Sequence, residues 1–175
     1  MADKKRFKSQ VQMTALNSQV PLWTKTEVIT NGTTPRTLTA AETNTVFLID
    51  DAALVLVLPA VSDDTVGVKY KFLVTDKEIT GFTIKSQGNG HYFSGYALIT
   101  KEANEVEHFV PDGNSNSEIN LNGGTTGGKN SGGTGDTPNI NQIVATCISG
   151  DAGAAWFVEA QLHGSGGIAT PFDDQ

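Results

Sequence analysis

The chain has 175 residues, of which 38% are hydrophobic, and a formal net charge of −7 at neutral pH. This length suits one domain with tails, and such a chain buries about 70% of the surface that it exposes when unfolded. No apolar run approaches the roughly 18 residues of a membrane-spanning helix, so no membrane partner is expected. The stretch from Ser9 to Asn17 is too polar for a secretory signal, and we expect assembly in a cytosol.

The charge is distributed unevenly along the chain. The first eight residues contain four basic side chains, Lys4, Lys5, Arg6 and Lys8, and one acidic side chain, Asp3. Their net charge is therefore four minus one, or +3, and the rest of the chain carries −10. An acidic body repels nucleic acid, so no nucleic-acid partner is expected. The basic arm could contact an acidic neighbour, and the alternative is a solvated tail without a role.

Residues 1–34 show little regular alternation and predict an extended arm that contains Trp23. Helical periodicity is almost absent afterwards, apart from one turn at 39–42. Alternating or β-branched runs closed by turn residues predict short strands instead. The predicted strands are 45–49, 53–58, 68–74, 81–85, 96–100, 106–110, 117–122, 140–148 and 155–162.

Short strands at this spacing are typical of a sandwich or barrel. We therefore predict an all-β fold, a β-sandwich or jelly-roll-like pair of antiparallel sheets, with eight or nine strands between residues 36 and 162. The expected organisation is an arm at 1–34, a sandwich at 35–165 and a C-terminal tail at 166–175. Cys147 is the single cysteine, which excludes an internal disulfide framework, and its apolar neighbours predict burial.

A glycine-rich stretch, 122–135, interrupts the strand pattern. Its segment GGTTGGKN, at 123–130, approaches a phosphate-binding loop, but Asn130 replaces the hydroxyl residue that would bind Mg²⁺. The glycines and Pro138 that follow do not start a helix, so we interpret the stretch as a loop. Ordering such residues costs about 1–2 kcal/mol each. We therefore expect neighbouring chains to hold the loop, the arm and the tail.

Residues with catalytic or metal-binding chemistry are scattered. His91, His108 and His163 lack metal-ligand spacing, and no nucleophile or zinc motif is present. The acidic pairs at 50–51 and 63–64 are typical of turns, with calcium as the lesser alternative, and the pair at 173–174 lies in the tail. We predict no enzyme activity, no metal and no cofactor.

Several short motifs share a characteristic order. They are LTAAETNTVFLI at 38–49, the strand end LPA at 58–60, GVKYKF at 67–72, ITGFTI at 79–84, and AWFVEA at 155–160 with Gly164. This order resembles the small β-sandwich domains of tailed-bacteriophage virions, which occur on capsid decoration proteins and in tail fibres. The resemblance covers about residues 36–164 and omits the glycine-rich stretch.

The resemblance implies a virion structural protein, and two functions follow from it. The first is a capsid decoration (cement) protein on the outer shell, with the major capsid protein and its own copies, as a trimer, for partners. Its expected contact residues are Lys4, Lys5, Arg6, Phe7, Lys8 and Trp23. The second is a tail-fibre or receptor-binding protein that contacts host glycan through His91, Tyr92, Phe93 and Tyr96, for which core packing is the alternative. A sugar-binding or sugar-cleaving enzyme is a lesser third possibility.

Overall fold

The computed structural model describes residues 25–30, 35–50, 53–75, 81–88, 90–100, 105–112, 114–121, 141–164 and 169–174. These residues form twelve strands and two 3₁₀ helices, Ala40–Glu42 and Asp63–Thr65. The strands are β1 (Lys25–Ile29), β2 (Arg36–Thr37), β3 (Thr45–Ile49), β4 (Val55–Val57), β5 (Lys69–Val74), β6 (Phe82–Lys85), β7 (His91–Thr100), β8 (Val106–Phe109), β9 (Glu118–Leu121), β10 (Asn141–Cys147), β11 (Gly153–His163) and β12 (Phe172–Asp173).

The strands form two mixed sheets, and the predicted all-β, sandwich-like class is confirmed. The larger sheet has seven strands in the order β1-β3-β5-β10-β11-β7-β8, and the smaller has five in the order β12-β9-β6-β4-β2. The expectation of purely antiparallel sheets is wrong. β3 lies parallel to both β1 and β5, β4 lies parallel to both β2 and β6, and β7 lies parallel to β11.

Four of the five parallel pairs arise because the chain changes sheet after every strand from β1 to β6. A hairpin reverses the chain within one sheet, whereas a crossing to the other sheet and back restores the original direction. The segments 45–49 and 53–58 look like a hairpin in the sequence, since Asp50 follows the first of them. They contribute β3 and β4, which lie in different sheets.

Two predicted boundaries also change. Residues 25–29, which we assigned to the arm, form β1 and pair with β3 in the larger sheet. Residues 172–173, which we assigned to the tail, form β12 and pair with β9. Both segments are short and alternate weakly, so only their partners reveal them as strands. The rest of the predicted arm up to residue 24 and the glycine-rich loop lie outside the described residues.

An aromatic cluster occupies the core of the sandwich. The β5 side chains Tyr70 and Phe72 and the β3 side chain Phe47 are fully buried, with the Phe47 and Phe72 rings stacked at 5.7 Å between centroids. Trp156 of β11 lies 6.2 Å from the Tyr70 ring. The Tyr70 hydroxyl donates to the Thr39 carbonyl at 2.7 Å, which satisfies the one polar atom of that side chain. Burial, together with Glu42 and Cys147, raises the pKa of Tyr70.

Arg36 bridges the sandwich at one edge, where β1 of the larger sheet approaches β2 of the smaller. Its guanidinium donates to Glu27 of β1 at 2.5 Å and to Glu42 of the first 3₁₀ helix at 2.6 Å. It also lies 5.4 Å from the centroid of the Phe47 ring. The hydrogen bond to Glu27 is the main cause of the raised pKa of Arg36. One cation therefore joins both sheets and covers the aromatic core.

Gly95 allows β7 to lie against β11 at a close approach. Its φ is +110°, and an added Cβ would lie 2.0 Å from the Val158 carbonyl oxygen. The register between the two strands shifts between Ala154 and Trp156, which marks a bulge a few residues away. No residue other than glycine fits here, because both the backbone conformation and the neighbouring backbone exclude a side chain.

We expect Gly95→Ala to lower the free energy of unfolding by about 3 kcal/mol or more, because strain and backbone overlap add. Gly88→Ala is the matched control, since Gly88 has a φ of +83° with open space around it. That variant should lose only about 1–2 kcal/mol from the left-handed conformation. Urea unfolding followed by tryptophan fluorescence measures both, and equal losses would show that the approach to Val158 is not tight.

The second prediction concerns acid stability. Burial alone would raise the pKa of Glu42, but hydrogen bonds from the Thr39 hydroxyl and backbone N–H and from Arg36 outweigh it and lower that pKa. The ionised Glu42 carboxylate therefore stabilises the folded state fully when the pH is above its ordinary pKa of 4.5. This stabilisation disappears as the pH falls through the lower pKa of the folded state. Glu42→Gln should lower the free energy of unfolding at about pH 7 by up to about 1 kcal/mol, since the group is partly exposed. Near pH 2.5 the two proteins should be equally stable, and a constant difference would contradict the linkage.

Candidate functional site

The predicted contact residues fall into two groups in the structure. Lys4, Lys5, Arg6, Phe7, Lys8 and Trp23 lie outside the described residues. The other four, His91, Tyr92, Phe93 and Tyr96, all lie on β7. Because side chains alternate along a strand, β7 separates them instead of grouping them on one surface.

Phe93 is the clear correction within this group. It is fully buried and pairs in register with Trp156 in the core, so it cannot contact a ligand at the surface. His91 begins the strand, and its Nδ1 lies 3.1 Å from the Gln87 carbonyl oxygen across the preceding turn. Tyr92 and Tyr96 remain partly accessible, and they project from the side of the larger sheet that faces away from the core.

That side of the larger sheet is the most distinctive surface of the described residues, and we call it the outer face. The register of the seven strands places its residues in rows that run across the sheet. One row consists of Thr26, Val46, Lys71, Val144, Glu159 and Tyr96. The next consists of Val28, Leu48, Leu73, Gln142, Gln161, Leu98 and His108.

The outer face is rich in apolar side chains. The structure places five large hydrophobic side chains in the exposed class among the described residues, and Val28, Ile148, Val106 and Val110 are four of them. Alternation along β1, β8 and β10 directs these four outward at the strands or just beyond their ends. They are 55%, 48%, 60% and 63% exposed, respectively. Exposed apolar side chains on one face of a sheet are typical of a site for protein association.

The strand directions strengthen this interpretation. All-parallel sheets are found almost exclusively where both faces are covered, and their strands are continuously apolar. β1, β3 and β5 are mutually parallel, and β3 accordingly contributes Val46 and Leu48 to the outer face. All twelve described strands belong to the two sheets, so no described strand packs on that face. The parallel half of the larger sheet shares this apolar character at β3.

The smaller sheet provides the contrast, because its outward side is polar. Lys85 and Glu118 stand opposite each other on β6 and β9 and form an ion pair of 2.9 Å. Thr83 and Asn120 form the neighbouring pair of that register. Asp173 of β12 continues the charged row beside Glu118. Thr83 and Glu118 are only 6% and 7% exposed, so this polar side is largely buried rather than solvent-facing.

A small polar cluster lies on the β7 side of the outer face. The Tyr96 hydroxyl donates to Glu159 Oε1 at 3.2 Å, and its ring lies 6.1 Å from the His108 ring. The Glu159 carboxylate is the main cause of the raised pKa of Tyr96. An aromatic ring beside a carboxylate and an imidazole offers stacking and hydrogen bonding together. That combination suits both a sugar and a protein side chain.

Other predicted features have structural roles in the described residues. Asp63 and Asp64 open the second 3₁₀ helix, in agreement with their interpretation as turn residues. Cys147 is buried as predicted, and its thiol donates to the Ser149 carbonyl at 3.4 Å. Among the described residues, no three side chains of the His, Cys, Asp and Glu types form a group that could hold a metal ion. That part of the chain also contains no helix long and apolar enough to cross a membrane.

Comparison with known proteins adds no relative. No family model matches the chain, and neither a curated protein nor a solved structure matches it.

Sequence reasoning missed the outer face, although its signal was present. The strand 45–49 was predicted from an apolar run, and such a run is apolar on both sides of a strand. Only the side that carries Phe47 and Ile49 is needed for the core. Val46 and Leu48 on the other side could therefore have indicated a second buried surface.

We expect the exposed valines to be unimportant for stability. Replacing Val28, Val106 and Val110 together by threonine keeps shape and strand preference, so each change should alter the free energy of unfolding by no more than about 0.5 kcal/mol. Val158→Thr is the matched control at 1% exposure, and it should cost about 1–3 kcal/mol by burying a hydroxyl. Comparable losses in urea titrations would mean that the valines belong to the core.

Proposed function

We propose that this chain is a structural protein of a tailed-phage virion, a capsid decoration (cement) protein that binds the outer shell across capsomer joints. The observation that carries the proposal is the outer face of the larger sheet. It exposes apolar side chains among polar ones on a sandwich that does not need them for its own core. A protein whose role is to add buried area between subunits requires a surface of that kind.

The mechanism is differential binding. Packaged DNA loads the joints between capsomers, and a protein that binds only the expanded shell stabilises it by the difference between its affinities for the two shell states. The major capsid protein is the proposed partner. Lys4, Lys5, Arg6, Phe7 and Lys8 are proposed to contact an acidic region of the shell or a neighbouring copy, with Trp23 as an anchor. Repeated copies would be related by the symmetry axes of the shell.

The described body of the sandwich favours association through apolar contacts rather than through charge. The −10 of the chain beyond residue 8 is repelled by an acidic shell. The basic segment is therefore the part that can approach such a shell. Apolar packing and a basic segment together give a contact that is short-ranged and partly sensitive to salt.

Contact with host glycan, as in a tail fibre or receptor-binding protein, is the second candidate function. The cluster of Tyr96, His108 and Glu159 favours it, because a sugar ring stacks on an exposed aromatic ring and donates its hydroxyl groups to a carboxylate. Tyr92 projects on the same side of β7, whereas Phe93 does not contribute. The cluster occupies one end of the outer face, while the apolar side chains extend across all of it. That extent favours the protein partner.

The number of copies per particle distinguishes the two functions. For a decoration protein we expect hundreds of copies, measured by quantitative mass spectrometry of purified virions against a labelled standard of this chain. A few to dozens of copies would indicate the tail, and absence from virions would contradict both functions.

We further expect deletion of residues 1–20 to abolish binding to expanded shells while the sandwich stays folded, because the basic segment is lost.

Two controls make the deletion interpretable. The full-length variant in which Lys4, Lys5, Arg6 and Lys8 are replaced by alanine should lose binding in the same co-sedimentation assay. Lys25→Ala, at the exposed start of β1, should not. Undiminished binding by both the deleted and the neutralised protein would refute the role of the basic segment.

A further inference from the structure

The outer face carries opposite charges on the two sides of its central strand. β10 is the central strand of the larger sheet, with β5, β3 and β1 on one side and β11, β7 and β8 on the other. Val144 lies outward at the middle of β10, and the register places Lys71 and Glu159 directly on either side of it. Opposite charges therefore stand at equal distances from the central strand, about one strand spacing of 4.8 Å each.

A twofold axis that runs along β10, just above its surface, makes this arrangement self-complementary. Rotation about that axis exchanges the two halves of the sheet, so that β5 of one copy lies over β11 of the other. Lys71 of each copy then faces Glu159 of the second copy, and the two contacts occur symmetrically around Val144. Among the described residues Lys71 forms no ion pair, so this contact would provide one.

Two further pairs on the second and sixth strands of the order bring apolar or aromatic side chains together, whereas Leu73 and Val28 meet Gln161 and His108. The rotation places β3 over β7, which brings Leu48 opposite Leu98 and Val46 opposite Tyr96 of the second copy. These pairs follow from the registers of the strands and need no change of side-chain composition. Packed sheets rotate by about 30° relative to each other, so the pairs nearest the axis are preserved best.

The charges also favour an axis along the strands over an axis perpendicular to them. An axis in the plane of the face but perpendicular to the strands would place β5 over β5 of the second copy. Lys71 of one copy would then lie near Lys71 of the other, and Glu159 would lie near Glu159. Like charges across an interface are unfavourable. The axis along β10 is therefore the one that the charges support.

The size of the face is sufficient for a stable pair. Six spacings of about 4.8 Å give a width of about 29 Å, and seven residues of β10 at about 3.3 Å give a length of about 23 Å. The product is about 670 Å² before the side chains at the edges are added. A standard interface buries about 800 Å² on each partner.

We propose that the outer face binds the outer face of a second copy of this chain, about a twofold axis parallel to β10, with Lys71 of each copy paired to Glu159 of the other. The proposal rests on the proposed function only in its use of the outer face, and a copy paired through that face would bind the shell through the basic segment at residues 4–8. It replaces the trimer expected from the sequence, because shells offer local twofold as well as threefold axes. Pairing would also cover the outward side of the parallel strands β1, β3 and β5.

The decisive experiment is a charge exchange on the full-length protein, with molecular mass and dissociation constant measured by sedimentation equilibrium. The wild type should be a dimer at micromolar concentration. Lys71→Glu and Glu159→Lys should each weaken the dimer by at least about 100-fold, because each places like charges at both symmetric contacts. The double variant should recover dimerisation to within about tenfold of the wild type.

Asp64→Lys is the matched control, since it changes the net charge as Glu159→Lys does from an exposed position at the second 3₁₀ helix, and it should remain a dimer. A monomeric wild type at about 100 µM, or a double variant as weak as the singles, would overturn the proposal. A trimeric mass unaffected by either single variant would overturn it as well. None of these measurements involves virions, so the pairing can fail while shell binding succeeds, and the reverse.

Discussion

The fold depends on one constraint, which is that the chain changes sheet after each of its first six strands. The two sheets are therefore built together. β3 pairs with β5, and β4 with β6, only after the chain has crossed to the other sheet and returned. This crossing makes β1, β3 and β5 parallel, and it brings Phe47 and Phe72 side by side beneath the smaller sheet. Arg36 connects the two sheets at the edge where the crossing begins.

The same constraint produces β3, which carries apolar side chains on both sides of the larger sheet. A chain that coils between two layers produces parallel neighbours, and parallel neighbours are stable where both faces are covered. The smaller sheet covers one face of the larger sheet. The other face carries Val28, Leu48 and Leu73 on one side of the central strand β10. Its charges, Lys71 and Glu159, lie on opposite sides of β10. Association through this face would extend the internal packing of the protein to a neighbour.

The absence of any match to known proteins leaves physical argument as the support for function. The outer face, rather than the motifs that resemble phage domains, is the observation on which the proposals depend. It connects them at one surface, since association with a shell, association with a second copy and contact with a glycan would each bury part of it. They differ in which residues they need: the basic segment for the shell, Lys71 and Glu159 for the pair, and Tyr96 for a sugar.

The sequence by itself determined the class of the fold, because alternation in β5 and β6 and the turn residues between strands are local properties. It also predicted the burial of Cys147, whose neighbours are apolar. Tertiary structure alone decided which strands are neighbours, that residues 25–29 and 172–173 are strands, and that Phe93 is buried while Tyr96 is accessible. Strand pairing is a contact between residues that are distant in sequence. The side of a strand that faces outward is defined only once the other sheet of the sandwich covers its inner side. For that physical reason the placement of Lys71 and Glu159 on either side of Val144 could not be predicted from local pattern, although the apolar side chains of β3 hinted at a second surface.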